Sequence, residues 1–331
     1  MEKVQQIAFR AMGSQMLAAV ESYDPQARSM LAEVPGWFEG WEQSLSRFKE
    51  DSELSRINHT GRSTLPIPVS DTFWTVLQLA LQAAHFTGGL VTPTVLNALE
   101  SAGYDKSFDD IKGKETTRNS ASGAQTSGQA RPVANWHKIR AYPETHSVRL
   151  PAGVRLDFGG IAKGWAADEA VNRLAKHGPA LVNAGGDIAV SGPTFNGAGW
   201  LIGIDAPDMP HLPPDAEPNP QLELLAIRSG GVATSGRDYR RWQQGGEWRH
   251  HIIDPRTGTP ATTDVLAATV IAPTACAAEI AAKVIMLLGS TEGLEWLEDR
   301  PSLAGLIVLE DGQVVRSKRL KNYIWSDSNG K

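Results

Sequence analysis

The chain has 331 residues, of which 41% are hydrophobic and 21% charged, with a formal net charge of −5. This composition is typical of a globular protein with a sizeable core. The acidic balance without a Lys/Arg cluster predicts that nucleic acid is not a partner. Cys276 is the only cysteine. An intrachain disulfide is therefore excluded, and the alanines around Cys276 predict a buried, inert thiol.

The N-terminal residues 1–6 contain no apolar run that could act as a secretion signal. No segment has the length of apolar sequence that a membrane span requires. As given, the sequence predicts a cytoplasmic protein without a membrane span. A periplasmic form trimmed of its signal would have the same sequence.

Hydrophobic periodicity in the first part of the chain predicts a glycine-interrupted strand, two long amphipathic helices and shorter helical segments. Glycines 88 and 89 predict the end of the second long helix. In chain order, the strand covers residues 7–21, the helices cover 29–45 and 71–87, and helix starts follow residue 51 and the segment Thr92-Pro93-Thr94-Val95.

Two polar segments predict surface loops. Residues 106–132 are the poorest in apolar side chains, and residues 205–220 are dense in proline. The segments that flank the first loop both have core character, so we expect it to interrupt one domain rather than divide two. The sequence therefore predicts a single domain over residues 1–331.

The second part of the chain predicts several strands, a hairpin around Gly185-Gly186, two helices and a final hairpin around Asp311-Gly312. Strands and helices are mixed without βαβ alternation, which favours an α+β fold with mixed, mostly antiparallel sheets and packed helices. The predicted strands cover residues 137–142, 147–150, 181–183, 188–190, 200–204, 222–228, 248–253, 266–271, 304–309 and 314–317, and the helices cover 164–177 and 274–288.

The most informative stretch is residues 232–260. It places Thr234-Ser235-Gly236, predicted as a turn, before His251, Asp254 and a second glycine turn. Turns of Thr, Ser and Gly let backbone N–H groups cradle phosphate oxygens. A nearby imidazole and carboxylate can move a proton or orient a nucleophile. The combination predicts chemistry on a phosphate-bearing ligand.

Two further glycine clusters fit this reading. Asp157-Phe158-Gly159-Gly160 leads into a predicted helix at Lys163, where an anion would meet both the ammonium and the positive helix end. The alternative is an ordinary strand–helix turn with an exposed lysine. Asn183–Asp187 is by itself a hairpin turn, and beside the other clusters it is a candidate wall of a ligand site.

The order of these motifs resembles the ApbE family of FAD:protein FMN transferases, over residues 7–289. Such a resemblance implies an ApbE-like fold that binds FAD as a substrate. The matching elements are Met12-Gly13-Ser14, residues 51–58, Thr92-Pro93-Thr94-Val95, residues 157–164, residues 183–187, Thr234-Ser235-Gly236 and residues 251–258.

By this resemblance, FMN is esterified to a Thr or Ser hydroxyl of an acceptor flavoprotein and AMP leaves, a phosphoryl transfer that depends on positioning and charge neutralisation. His251 would activate the acceptor hydroxyl and Asp254 would orient it. Lys163 and Thr234-Ser235-Gly236 would contact phosphates. The remaining FAD-lining positions implied by the family are Met12, Phe48, Asn97, Ala98, Leu99, Asp157 and Ile252.

The metal positions depart from the family pattern, which holds Mg²⁺ with an Asp, a Thr one helical turn later and a backbone carbonyl. Here those positions are Glu279, Lys283 and Gly160. Magnesium requires oxygen ligands in near-octahedral geometry, so a protonated amine cannot serve. Glu279 and Lys283 form either an ordinary i,i+4 pair or a substitution in which the Lys283 ammonium occupies the cation's place.

Three functions remain open at this point. The first is an FAD:protein FMN transferase. The second is an FAD-binding protein on the same scaffold whose transfer is weak or lost because of Glu279 and Lys283. The third is a pyrophosphatase that would release free FMN from FAD.

Overall fold

The computed structural model describes residues 4–60, 65–111, 115–116, 132–133, 135–208 and 221–326. The strands in chain order are β1 (Val4–Ala11), β2 (Ser14–Glu21), β3 (Ile67–Pro68), β4 (Glu115–Thr116), β5 (Arg140–Tyr142), β6 (Ser147–Arg149), β7 (Ala180–Ala184), β8 (Asp187–Ser191), β9 (Trp200–Asp205), β10 (Gln221–Ile227), β11 (Gly230–Gly236), β12 (Arg241–Gln244), β13 (Glu247–His250), β14 (Ile253–Asp254), β15 (Thr259–Pro260), β16 (Val265–Ala272), β17 (Ala304–Leu309) and β18 (Val314–Arg316).

The helices in chain order are α1 (Gln26–Leu45), α2 (Glu53–Thr60), α3 (Asp71–Phe86), α4 (Leu96–Ser101), α5 (Phe108–Ile111), α6 (Ala162–Leu174), α7 (Ala275–Leu288) and α8 (Ser290–Glu298). Single 3₁₀ turns occur at Trp136–Lys138, Pro143–Thr145 and Leu320–Asn322. Among the described helices, none is both long and apolar enough to cross a membrane.

The chain forms two compact units from interleaved segments. Unit 1 comprises Met1–Gly40, Ala162–Tyr239 and Thr263–Lys331, and unit 2 comprises Trp41–Ile161 and Arg240–Thr262. The single domain over residues 1–331 stays a prediction. Most of the predicted loop over 106–132, and residues 209–220 of the second loop, lie outside the described residues.

Unit 1 is built on an antiparallel sheet of eight strands in the order β1-β2-β7-β8-β11-β16-β17-β18. Strand β16 lies inside this sheet and all eight of its residues are buried, which explains its continuous apolar sequence. Strand β1 lies at one edge, where its residues alternate between exposed and half-buried.

Different elements cover the two faces of this sheet. Helices α6 and α7 pack on strands β7, β8, β11 and β16. The hairpin of β9 and β10 contributes Ile202, Ile204, Leu225 and Ile227 to an apolar core with other sheet residues. Because side chains alternate along a strand, Val232 joins that core while its neighbour Gly231 faces α7.

Local capping fixes the ends of α7. The Thr274 side-chain oxygen accepts the Ala277 N–H at 3.1 Å, and Gly289 ends the helix with φ of +86°. The predicted helix over 274–288 is confirmed. Burial also raises the pKa of the Cys276 thiol, in agreement with the predicted inert cysteine.

Unit 2 combines α2 to α5 with small sheets. Strands β3, β6 and β5 form one sheet, β13, β12 and β4 form a second, and β14 pairs with β15. The buried Trp242 packs with Leu99, Tyr104 and Ile253 and donates its indole N–H to the Ala102 carbonyl at 2.8 Å.

The predicted α+β class with mostly antiparallel sheets is confirmed, since the one parallel pairing in the described strands joins β4 and β12. Several predictions were wrong or incomplete. The strand predicted over 137–142 begins only at Arg140, after the 3₁₀ turn at Trp136–Lys138. Residues 234–236 belong to strand β11 rather than a turn, and the strand predicted over 248–253 breaks at His251. Helix α8 was not predicted.

The contact between α7 and β11 generates a stability prediction. A Cβ atom at Gly231 would overlap the backbone of Ala275, so Gly231→Ala must push α7 away from the sheet. We expect the free energy of unfolding to fall by about 3 kcal/mol, measured by urea denaturation. Gly40→Ala is the matched control, because nothing lies within 4 Å of a Cβ there. Equal effects of the two substitutions would contradict this packing.

Candidate functional site

Four charged side chains meet in unit 1 where α6 approaches α7. Lys163 is the second residue of α6, and Asp187 is the first residue of β8. Glu279 and Lys283 lie one turn apart on α7, which places both on one face of that helix. Distant parts of the sequence therefore supply one compact charge cluster, which we call the lysine–carboxylate cluster.

Glu279 is the centre of this cluster. Its Oε1 atom lies 3.1 Å from the Lys283 ammonium and 3.5 Å from that of Lys163. Its Oε2 atom accepts the Gly164 backbone N–H at 3.1 Å. Lys163 also forms an ion pair with Asp187. Both carboxylates are buried, and pairing with ammonium groups is what makes a buried carboxylate tolerable.

The two carboxylates differ in proton affinity. Burial raises the pKa of Asp187 to about 6, assisted by the Glu279 charge and opposed by the two lysines. Burial acts in the same direction on Glu279, but the charges of Lys163 and Lys283 and the Gly164 N–H hold its pKa below the usual range. As pH falls, Asp187 takes the first proton while Glu279 stays ionised.

The residues at the expected metal positions do not fit Mg²⁺. The Glu279 oxygens already accept from two ammonium groups and an amide, and Lys283 offers no oxygen. In the described part of the chain, no group of three or more His, Cys, Asp or Glu side chains could hold a metal ion. Gly160, the expected carbonyl ligand, belongs to a turn in unit 2.

The predicted hydroxyl and glycine turn in unit 1 is instead a strand. Thr234, Ser235 and Gly236 pair with Thr269, Ala268 and Ala267 of β16. Thr234 is exposed, and its hydroxyl lies 2.9 Å from that of Thr269, whereas Ser235 is buried. Their contact with phosphate stays a prediction. The prediction that a turn at these residues forms a backbone cradle was wrong.

Met12 lies in the tight turn between β1 and β2, also in unit 1. Its φ of +48° is in the left-handed region, which is uncommon for a residue other than glycine. Gly13 follows with φ of +67°, and two positive values match the twist of a two-residue hairpin. The predicted interruption of the first strand at Gly13 is confirmed.

In unit 2, Asp157 is held by an arginine that the sequence did not single out. Arg47 Nε lies 2.8 Å from Asp157 Oδ2, and the Gly159 N–H donates to Oδ1 at 2.9 Å. The Arg47 guanidinium also lies over the rings of Phe48 and Tyr104, 4.1 and 4.6 Å from their centroids. This stacking leaves Phe48 43% exposed and able to offer a ring to a ligand.

The three predicted lining residues of α4 are placed differently from one another. Asn97 is exposed, donates to the Gly153 carbonyl at 2.7 Å and accepts from Arg155 at the same distance. Ala98 and Leu99 are buried in the core that contains Trp242. Their side chains therefore support the shape of this unit from inside.

The segment after β13 holds the predicted proton-transfer residues. His250 Nε2 lies 3.0 Å from the Ala261 carbonyl, and the Ile252 N–H donates to His250 Nδ1 at 3.3 Å. These contacts turn the chain at half-buried His251. The Asp254 carboxylate accepts from the Arg256 guanidinium at 2.8 Å and from the Arg256 N–H. Orientation of His251 by Asp254 stays a prediction.

Sequence reasoning missed Asp187 as the partner of Lys163, and it missed Arg47 and Asp168. Asp168 Oδ1 and Oδ2 accept the N–H groups of Ala275 and Cys276 at 2.8 and 2.9 Å. The carboxylate of α6 therefore satisfies the first turn of α7. The carboxylate at the end of the Gly185-Gly186 turn was a usable signal for Asp187, but no local pattern marks the other two.

A profile described as the ApbE family matches residues 12–307. The protein named FAD:protein FMN transferase of Treponema pallidum is 30% identical over 305 residues, covering 87% of this chain and 79% of that protein. The protein of the same name from Salmonella typhimurium is 29% identical over 290 residues, covering 86% and 79%.

Solved structures show the same fold. The ApbE protein of Thermotoga maritima superposes with a TM-score of 0.82 at 24% identity, covering 98% of this chain and 100% of that one. The flavin transferase ApbE of Vibrio cholerae gives a TM-score of 0.73 at 23% identity, with coverage of 97% and 99%. The ApbE-like fold expected from the sequence is confirmed.

The buried position of Glu279 generates a second prediction. Glu279→Gln leaves the Lys283 ammonium without its carboxylate in a largely buried cluster, so we expect a loss of about 3 kcal/mol in the free energy of unfolding. Urea denaturation at neutral pH measures it. Glu310→Gln is the control, because Glu310 is exposed where it pairs with Arg237, and its loss should cost less than about 1 kcal/mol.

Asp168 generates a pH prediction. Burial raises its pKa to about 6 from 3.8, against the pull of the Cys276 and Ala275 N–H groups. A raised pKa means that the folded state binds the proton more tightly than the unfolded state. The resulting contribution to the free energy of unfolding is fully present below pH 3.8 and is lost as the pH rises through about 6. Asp168→Asn should therefore remove part of the decline in unfolding free energy across this window. An unchanged pH slope in the variant would contradict the assignment.

Proposed function

The chain belongs to the ApbE family, and we propose that it is an FAD:protein FMN transferase. It moves FMN from FAD onto a Thr or Ser hydroxyl of an acceptor flavoprotein and releases AMP. The observation that carries this proposal is similarity to relatives of that name over most of both chains. The alternative, an FAD-binding protein without transfer, has no support among these relatives.

The reaction needs a nucleophile, a proton acceptor and neutralisation of phosphate charge. The acceptor hydroxyl oxygen forms a bond to the phosphorus of the FMN half. The bond from that phosphorus to the bridging oxygen breaks, and AMP leaves with the electron pair. The hydroxyl proton passes to His251, which lies where the chain turns after β13. His251 is therefore the residue we assign as general base.

Lys163 is the residue we assign to the diphosphate. Its side chain is 15% exposed at the start of α6, where the helix end also favours an anion. Asp187 and Glu279 hold the side chain in place from the buried side. This support fixes the position of the ammonium charge. Phosphoryl transfer depends on such fixed positioning.

For FAD, we assign lining roles according to exposure. Phe48, Asn97 and the half-buried Met12 can present side chains to the flavin or adenine, and Asp157 lies beside Phe48 through Arg47. Ala98, Leu99 and Ile252 are buried, so we assign them to the shape of the site. We propose that phosphate is also contacted by the end of strand β11, through the backbone groups and hydroxyls of Thr234, Ser235 and Gly236.

The function is tested by incubating the protein with FAD and an acceptor protein used by one of the relatives named above. Transfer requires two products together, free AMP and an acceptor whose mass has increased by covalently attached FMN. Free FMN with an unmodified acceptor would identify a pyrophosphatase instead. Bound FAD with neither product would identify a binding protein.

His251→Gln gives the sharpest prediction for the mechanism. Removing the base should lower the transfer rate by about 10²–10⁴-fold, with FAD affinity little changed. AMP release measures the rate, and fluorescence titration with FAD measures the affinity. His137→Gln is the matched control, because His137 is exposed in a 3₁₀ turn of the same unit. A rate loss below tenfold in His251→Gln would remove it from the base role.

A further inference from the structure

We infer that the Lys283 ammonium takes the place of the divalent cation implied by the family pattern, and that this protein neutralises phosphate with lysine instead of Mg²⁺. The inference deepens the proposed function and rests on it for the identity of the anion. It is carried by the geometry of the lysine–carboxylate cluster, formed by Lys163, Asp187, Glu279 and Lys283.

The first argument is the occupancy of the Glu279 oxygens. Lys283 and Lys163 both donate toward Oε1, at 3.1 and 3.5 Å, and Gly164 donates to Oε2 at 3.1 Å. A carboxylate has about four acceptor sites, so three donors nearly saturate it. A magnesium ion bound at Oε1 would have to displace an ammonium group from that oxygen.

The second argument is charge. Two carboxylates and two ammonium groups sum to zero, and the carboxylate side chains are only 2% and 3% exposed. Adding a divalent cation would leave two uncompensated positive charges in a buried cluster, beside two ammonium groups that repel it. The two buried carboxylates are thus already compensated by the two ammonium groups, and their burial requires no metal ion.

The third argument is the direction from which the cluster can be reached. The Lys163 and Lys283 side chains are 15% and 19% exposed, whereas the carboxylates behind them are almost fully covered. An approaching ion meets N–H donors before it meets carboxylate oxygens. Such a surface attracts a diphosphate and repels a metal cation, with lysine acting as a compact point charge.

Magnesium titration of the purified protein tests the inference without any assay of activity. Melting temperature is measured with rising MgCl₂, against NaCl of equal ionic strength. We expect the two curves to coincide within about 1 °C up to about 10 mM Mg²⁺. A saturable stabilisation by Mg²⁺ at submillimolar concentration, removed by EDTA, would overturn the inference.

A pair of double variants identifies the residue responsible. Glu279→Asp with Lys283→Thr restores two oxygen ligands and should gain a saturable Mg²⁺-dependent rise of about 2–4 °C in melting temperature. Glu279→Asp with Lys283→Met also removes the ammonium but supplies no second oxygen, so it should gain none. Equal Mg²⁺ responses in both double variants would contradict the role of Lys283. Lys176→Thr, at an exposed lysine after α6, controls for the loss of one charge.

The transfer assay separates this inference from the proposed function. If the protein transfers FMN, its rate in EDTA should lie within about twofold of its rate in Mg²⁺. A Mg²⁺-dependent rate would overturn the inference while leaving the function intact. If no FMN is transferred under either condition, the proposed function fails, and the melting curves still decide whether lysine has replaced the metal.

Discussion

The close approach of α6 to α7 at Gly164 is the constraint on which the candidate site depends. A Cβ at Gly164 would lie 2.7 Å from the Cys276 Cα atom, so only glycine lets the two helix backbones meet. That proximity brings the Gly164 N–H to Glu279. One turn further along α6, Asp168 binds the first N–H groups of α7. The helices are thus joined through backbone groups, and this contact holds Lys163 in a fixed position beside Glu279.

Local signals predicted a large part of this framework. Thr274 and Gly289 mark the ends of α7 in the sequence because a capping hydroxyl and a positive φ each act within a few residues. Gly185 and Gly186 likewise marked the β7–β8 hairpin, where both have positive φ. The sequence also places Lys163 at a helix start, where it is the second residue of α6, and its contact with an anion stays a prediction. The pairing of Lys163 with Asp187 and Glu279 was missed, because these residues come from distant segments of the chain.

The misassigned segment shows why composition misleads in a packed sheet. Thr234, Ser235 and Gly236 have the residue types of a turn, yet they form the end of a strand inside an eight-stranded sheet. At Gly231, strand β11 needs a residue without a side chain because α7 approaches it there. A glycine that is required by a helix from another part of the chain therefore resembles, in the sequence, a glycine of a loop. In the sequence, the lysine–carboxylate cluster was visible only as the departure of Glu279 and Lys283 from the family pattern. The structure was needed to show that Lys163 and Asp187 join them.

The order of strands in the eight-stranded sheet also has a consequence for biosynthesis. Strand β2 pairs with β1 immediately, but its other edge pairs with β7, as in Met16 with Ala184. All of the first segment of unit 2 separates them in the chain. Translation therefore leaves the inner edge of an apolar hairpin unpaired while that segment is made, and such edges invite association with other chains. The strand order itself therefore sets how long this edge stays unpaired in the nascent chain.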